Sequence, residues 1–238
     1  MQENQDNNIG HEPSDTIPHD SLAPLAPIKP KLVTTQLIAK MGVLIALLIV
    51  GAQLGFAIPF SLIHVTLATM FVMFIAMLLK PIPALIAISI YVAMGSMGIP
   101  VFSAFQNFNV YFAPSGGFVI GFIPATILTS FLIGLLEKRF PTIQGFDKTK
   151  ISEHNFKRNT IIKYLFLVAI LVAFTIVLFS IGTLWFMFVF MRHFAAEPSS
   201  ISIWAALLAV TIPFLPGELI KGTIVVLGYK PLIRFRNM

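Results

Sequence analysis

Between Met41 and Leu232 the chain passes through one apolar stretch after another, with almost no charged side chain inside them. About 20 apolar residues are what an α-helix needs to cross the ~30 Å hydrocarbon core of a bilayer. In that medium irregular backbone leaves its polar groups unsatisfied, so helices are the natural solution. The stretches are Met41–Phe60, Ser61–Leu79, Ile82–Ile99, Gly116–Leu136 and Ile161 to about Gly182, followed by a long region from Ile201. Pro213 and Pro216 interrupt that last region, and proline starts or kinks a helix. It therefore divides into a short interfacial helix, Ile201–Val210, and a sixth span from about Ile212 to Leu232. The expected fold is all-α, an integral membrane bundle of six transmembrane helices.

Composition argues against a soluble alternative. The 238 residues are 57% hydrophobic and 11% charged, whereas soluble domains carry about 25% charged residues to clothe their surface. Residues 1–30 are different: polar, acidic and rich in Asn and Pro. They read as a disordered tail ahead of a single membrane domain, 31–238. No short apolar region lies close to residue 1, so no secretory signal is expected.

The basic residues set the orientation. Lys29, Lys31 and Lys40 precede the first span, and Lys80 separates the second from the third. Lys138, Arg139, Lys148, Lys150, Lys157, Arg158 and Lys163 cluster between the fourth and fifth, and Lys230, Arg234 and Arg236 follow the sixth. These are 14 of the 16 Lys and Arg residues, all on one side, against Arg192 on the other. The positive-inside rule places both termini in the cytoplasm of a multi-pass protein of the cell (inner or plasma) membrane. The net charge of +6 is thus a topology signal, and no nucleic-acid partner is expected.

The sixteenth basic residue, Lys221, lies inside the sixth span with Glu218, in Pro216-Gly217-Glu218-Leu219-Ile220-Lys221. A buried charge costs at least ~2.5–3.5 kcal/mol and marks a functional candidate. Three residues apart on a helix, the two share a face and can pair. They are either a structural ion pair or a polar contact for a substrate, and Pro216 at a helix start, with its free N–H groups, favours the second. A second helix start lies at Pro114-Ser115-Gly116-Gly117-Phe118. Ser115 is a candidate N-cap, and Gly116 and Gly117 let a ligand or another backbone come close. Interrupted helices with N-termini facing a substrate recur in transporters.

Phe102, Asn107, Asn109 and Tyr111 lie between the third and fourth spans. Amides can satisfy a ligand that both donates and accepts, while an interfacial aromatic belt is the alternative. Trp185 carries the same ambiguity. His64 has no second ligand at metal spacing, so no metal site is expected. Gly42 and Ala46 form a small-xxx-small face, as do Gly51 and Gly55, at which helices approach closely. The absence of G-x-x-x-x-G-K-[ST], G-x-S-x-G and H-E-x-x-H motifs, and of cysteine, leaves no catalytic residue to name and no sign of an ATPase or other enzyme.

Three segments taken together resemble a known family. Gly98-Ile99-Pro100-Val101-Phe102, Pro114-Ser115-Gly116-Gly117-Phe118-Val119-Ile120-Gly121-Phe122 and Pro213-Phe214-Leu215-Pro216-Gly217-Glu218-Leu219-Ile220-Lys221 match in order and spacing those of BioY, the biotin-specific substrate-binding (S) component of energy-coupling-factor transporters. Gly182-Thr183-Leu184-Trp185-Phe186 fits as well, and the resemblance spans about residues 36–235. It implies a six-helix S component that binds biotin near the outer face as transported substrate, without a cofactor. Its partners would be a transmembrane coupling subunit and two ATPase subunits, with Gly42 and Ala46 at the coupling interface. The family usually has Asp where Glu218 stands, Gln where Ala68 stands, and a glycine-rich loop in place of Ser103–Ala113. An S component for another small vitamin, or an assembly protein without ligand, are the competing readings.

Overall fold

The computed structural model describes residues 34–57, 63–140, 153–187, 204, 207 and 210–237. Among them are six α-helices longer than ten residues: α1 (Thr35–Gln53), α2 (Ala68–Leu78), α3 (Pro81–Ser96), α4 (Gly116–Arg139), α5 (Glu153–Trp185) and α6 (Leu215–Asn237). Two short strands, β1 (Gly55–Ala57) and β2 (His64–Thr66), pair antiparallel between α1 and α2.

The joints follow from local chemistry. Thr66 Oγ1 accepts the Ala68 N–H at 3.3 Å as α2 begins. Pro81 cannot continue a helix from its predecessor, because its ring pushes Lys80 into extended backbone; Lys80 has φ −67°, ψ 162°, and Pro81 opens α3 at the position where a missing N–H is harmless. At the other end of α3, Gly98 takes a left-handed φ of +96°. Its N–H reaches Gly95 O, and the Ile99 N–H reaches Met94 O. This paired pattern closes a helix end and needs the φ that glycine adopts freely.

Glycines also set how closely the helices pack. A Cβ on Gly51 would stand 2.2 Å from the Phe71 ring, so α1 and α2 meet there. On α4, a Cβ on Gly117 would meet Trp185 Cβ at 2.2 Å and Gly182 Cα at 3.0 Å. The core runs continuously through the bundle, with Leu48, Val72, Ile75, Ile88, Ile133, Leu167, Phe174 and Val225 fully enclosed. The outward faces remain apolar: Val43, Ile82, Leu165 and Leu227 are each 60% exposed or more. A surface of that kind suits lipid, and among the described residues four helices are long and apolar enough to cross a membrane: Thr35–Gln53, Gly116–Arg139, Thr160–Trp185 and Ile212–Tyr229.

The bounds of the first two spans differ from those expected. The fold is mostly helical, but between the first two spans a pair of short strands, Gly55–Ala57 and His64–Thr66, stands where helix was expected. Hydropathy cannot see it, since this run is as apolar as the helices beside it. As a result α1 ends at Gln53, and α2 keeps 11 residues and α3 16, both shorter than the ~20 of a full span. Most of the short helix expected at Ile201–Val210, the tail 1–30 and residues 141–152 of the 137–160 loop lie outside the described residues, as does Arg192.

Candidate functional site

The ends of α1, α3 and α5 and the starts of α2, α4 and α6 converge on one cavity, lined from each of these helices and from β2. This partly open cavity has a volume of about 70 Å³, room for roughly five water-sized groups at ~10–15 Å³ each.

Much of the wall is aromatic. Phe118, Phe179 and Phe214, from α4, α5 and the 3₁₀ turn Ile212–Phe214, pack in series with ring centroids 5.3 and 6.3 Å apart. Phe102 enters from the α3–α4 connection, seated on Gly95, where a Cβ would stand 2.1 Å from its ring. It meets Tyr91 edge-on at 5.3 Å, and Tyr91 Oη donates to Val101 O at 3.3 Å. Gln53 fixes the same connection: its Nε2 donates to Phe102 O at 2.9 Å and its Oε1 accepts the Phe105 N–H at 3.0 Å. This clamp holds Ala104 and Phe105 at φ 54° and 58°, a region that costs a residue with a Cβ roughly 1–2 kcal/mol.

Into this apolar wall α6 brings its charge pair. Lys221 Nζ lies 2.5 Å from Glu218 Oε1, and both residues are only 5% exposed. Thr69 of α2 completes the group. It donates to Glu218 Oε1 at 2.8 Å and accepts from Lys221 Nζ at 2.8 Å. Glu218 Oε2 is buried and has no partner among the described residues. An unsatisfied carboxylate oxygen beside an ammonium, at a cavity wall, can take an N–H donor while the lysine serves an acceptor.

The expected site residues fall into two groups. Glu218, Lys221 and Phe102 line the cavity. Asn107, Asn109, Tyr111, Gly116, Gly117 and Trp185 are not among its lining residues. Asn107 Nδ2 donates to Gly98 O at 3.1 Å and its Oδ1 accepts the Asn109 N–H at 3.4 Å, so the amide shapes the loop. Tyr111 Oη is 2.8 Å from Ser96 Oγ, and its ring packs on Phe102 and Phe108. Gly116 and Gly117 admit Trp185 rather than opening to the cavity. Ser115 sits at the N-cap of α4 but makes no side-chain cap bond; it lines the cavity instead. The start of α6 is less open than expected, because the 3₁₀ turn engages the Phe214 and Leu215 N–H groups with Thr211 O and Ile212 O.

Sequence reasoning missed Thr69, His64 and Thr66 as wall residues. The available signal was a pair of threonines opening an otherwise apolar run. Among the described residues, no three His, Cys, Asp or Glu side chains converge on a metal position.

A model of the BioY family matches residues 26–237. The chain is 39% identical over 101 residues to the biotin transporter BioY of Thermotoga maritima, covering 42% of this chain and 56% of that one. It is 36% identical over 117 residues to the biotin transporter BioY2 of Lactococcus lactis, covering 49% and 60%. The chain thus spans little more than half the length of these two curated relatives. Against the biotin transporter BioY of Rhodobacter capsulatus it is 25% identical over 186 residues, covering 77% and 83%. In three dimensions it superposes on the crystal structure of the S-component for biotin from an ECF-type ABC transporter with a TM-score of 0.63. That match is 21% identical and covers 85% of this chain and 92% of the other.

Proposed function

The chain belongs to the BioY family, and from that premise we propose that it is the substrate-capturing membrane subunit of a biotin uptake system. One observation carries the reading: a buried carboxylate and ammonium, Glu218 and Lys221, stand side by side in a phenylalanine-walled cavity, with Glu218 Oε2 unpartnered. The ureido ring of biotin places an N–H donor next to a C=O acceptor. Glu218 Oε2 takes the N–H, and Lys221, with two of its three donors used, offers the third to the carbonyl. The cavity volume suits a compact head of this kind. Phe102 and the Phe118–Phe179–Phe214 wall cover the thioether ring and the apolar chain, whose carboxylate lies toward the mouth. The names of the Thermotoga and Lactococcus relatives support the same ligand.

In this reading Asn107, Asn109 and Tyr111 hold the loop that delivers Phe102, and Gly116, Gly117 and Trp185 lock α4 onto α5. The chain crosses the cell membrane six times, with the short α2 and α3 completed by the segments around them. Both termini are cytoplasmic, and the cavity opens outward. The scarcity of motifs for ATP hydrolysis supports reliance on a transmembrane coupling subunit and two ATPase subunits, with Gly42 and Ala46 facing the former.

The direct test is to purify the chain in detergent, denature it, and identify the released small molecule by mass spectrometry. Biotin is expected. Release of a different vitamin would move the chain to another substrate, and a protein that releases nothing and binds no added biotin would contradict the reading.

A further inference from the structure

The direction of the bonds around Thr69 is forced. A lysine ammonium only donates, so Thr69 Oγ1 accepts from Lys221 Nζ at 2.8 Å, and its single proton goes to Glu218 Oε1 at 2.8 Å. Lys221 donates to the same oxygen. Glu218 Oε1 therefore receives two hydrogen bonds, while buried Oε2 receives none among the described residues. Without the hydroxyl, a carboxylate with one ammonium neighbour can turn about its terminal bond and offer either oxygen, or both, to the lysine. Thr69 lies on α2 and the charged pair on α6, so the orientation is imposed from a separate helix.

We propose that Thr69 is a positioning residue for ligand selection: it holds Glu218 Oε1 against Lys221 and leaves Oε2 as the acceptor presented to the cavity. The site then selects a buried head group that carries an N–H donor. This rests on the biotin reading and deepens it, because the residue that sets the donor requirement is one that need not touch the ligand. Serine keeps the hydroxyl and can make both bonds. Valine keeps the shape of threonine and can make neither.

The test compares the parent protein with Thr69→Val and Thr69→Ser, in detergent, binding biotin and the two biotin derivatives methylated on one or the other ureido nitrogen. Thr69→Val is expected to bind biotin roughly 10- to 100-fold more weakly. It should also lose most of the parent's preference for biotin over the more weakly bound methylated derivative, and Thr69→Ser should keep both properties. A valine variant that binds and discriminates like the parent overturns the proposal. So does one that loses affinity for all three ligands equally, since a merely structural residue would do that. A second readout needs no ligand: the infrared carboxylate stretch of Glu218, isolated by subtracting the spectrum of Glu218→Gln. It is expected to shift in Thr69→Val and to stay in place in Thr69→Ser, and identical bands in all three proteins overturn the proposal. If the parent binds no biotin at all, the biotin reading fails, and the infrared comparison alone decides the role of Thr69.

Discussion

Arg236, near the end of α6, donates to the main-chain carbonyl of Met77 at 2.8 Å across 159 residues of sequence. The same Nη1 lies 3.0 Å from Leu79 O and 3.3 Å from Ala76 O, while Nη2 donates to Ser130 O at 3.1 Å. Its Nε faces Glu137 Oε2 at 3.2 Å. Arg236, 7% exposed, thus closes the carbonyl end of α2 and ties α2, α4 and α6 together at the end of the bundle opposite the cavity. Replacing one partner of a buried charged group leaves the other uncompensated, at about 3–5 kcal/mol. Arg236→Met should lower the unfolding temperature in detergent by the equivalent of that loss. Arg236→Lys should recover only part of it, because a lysine lacks the planar fork. Equal unfolding temperatures for Arg236→Met and the parent would contradict this role.

Gly42 and Ala46 are both exposed on α1, and nothing lies within 4 Å of where a Cβ on Gly42 would sit. Small residues on an outward helix face suit a close contact with another membrane helix. Ala46→Trp should therefore reduce biotin uptake in cells that contain the coupling subunit, while the purified variant binds biotin as before. Parallel loss of uptake and binding would assign this face to internal packing.

The proposed topology would gather 14 of the 16 Lys and Arg residues on the cytoplasmic side. A cysteine introduced as Ser152→Cys, in a chain with no other cysteine, should resist a membrane-impermeant thiol reagent in intact cells and react once the membrane is opened. Labelling from outside would invert the orientation.

How much of this was legible in the sequence depends on distance along the chain. Glu218 and Lys221 could be paired from their spacing alone, because three residues on a helix fix a shared face. Thr69 could not, because its two bonds cross 149 and 152 residues. The hairpin was hidden because 54–66 is as apolar as the helices beside it, although Gly55 and Pro59 mark a run unsuited to a helix interior. Asn107 shows the limit of reading chemistry from residue type: an amide that could hold a ligand can also satisfy a loop carbonyl, and its Nδ2 donates to Gly98 O. Arg236 counted only as one more basic residue past the last span, since nothing local signals that α6 delivers it to the end of α2.

The central claim is that Lys221 and Glu218 contact the ligand, and the most direct test is the equilibrium dissociation constant for biotin of the purified parent and of Lys221→Met. The variant keeps the volume of the side chain and removes its charge. A hydrogen bond to a charged group contributes about 1.5–3 kcal/mol, so Lys221→Met should bind biotin about 10- to 150-fold more weakly than the parent. A Lys221→Met protein that folds, inserts and binds biotin with unchanged affinity would make the pair structural and contradict the account.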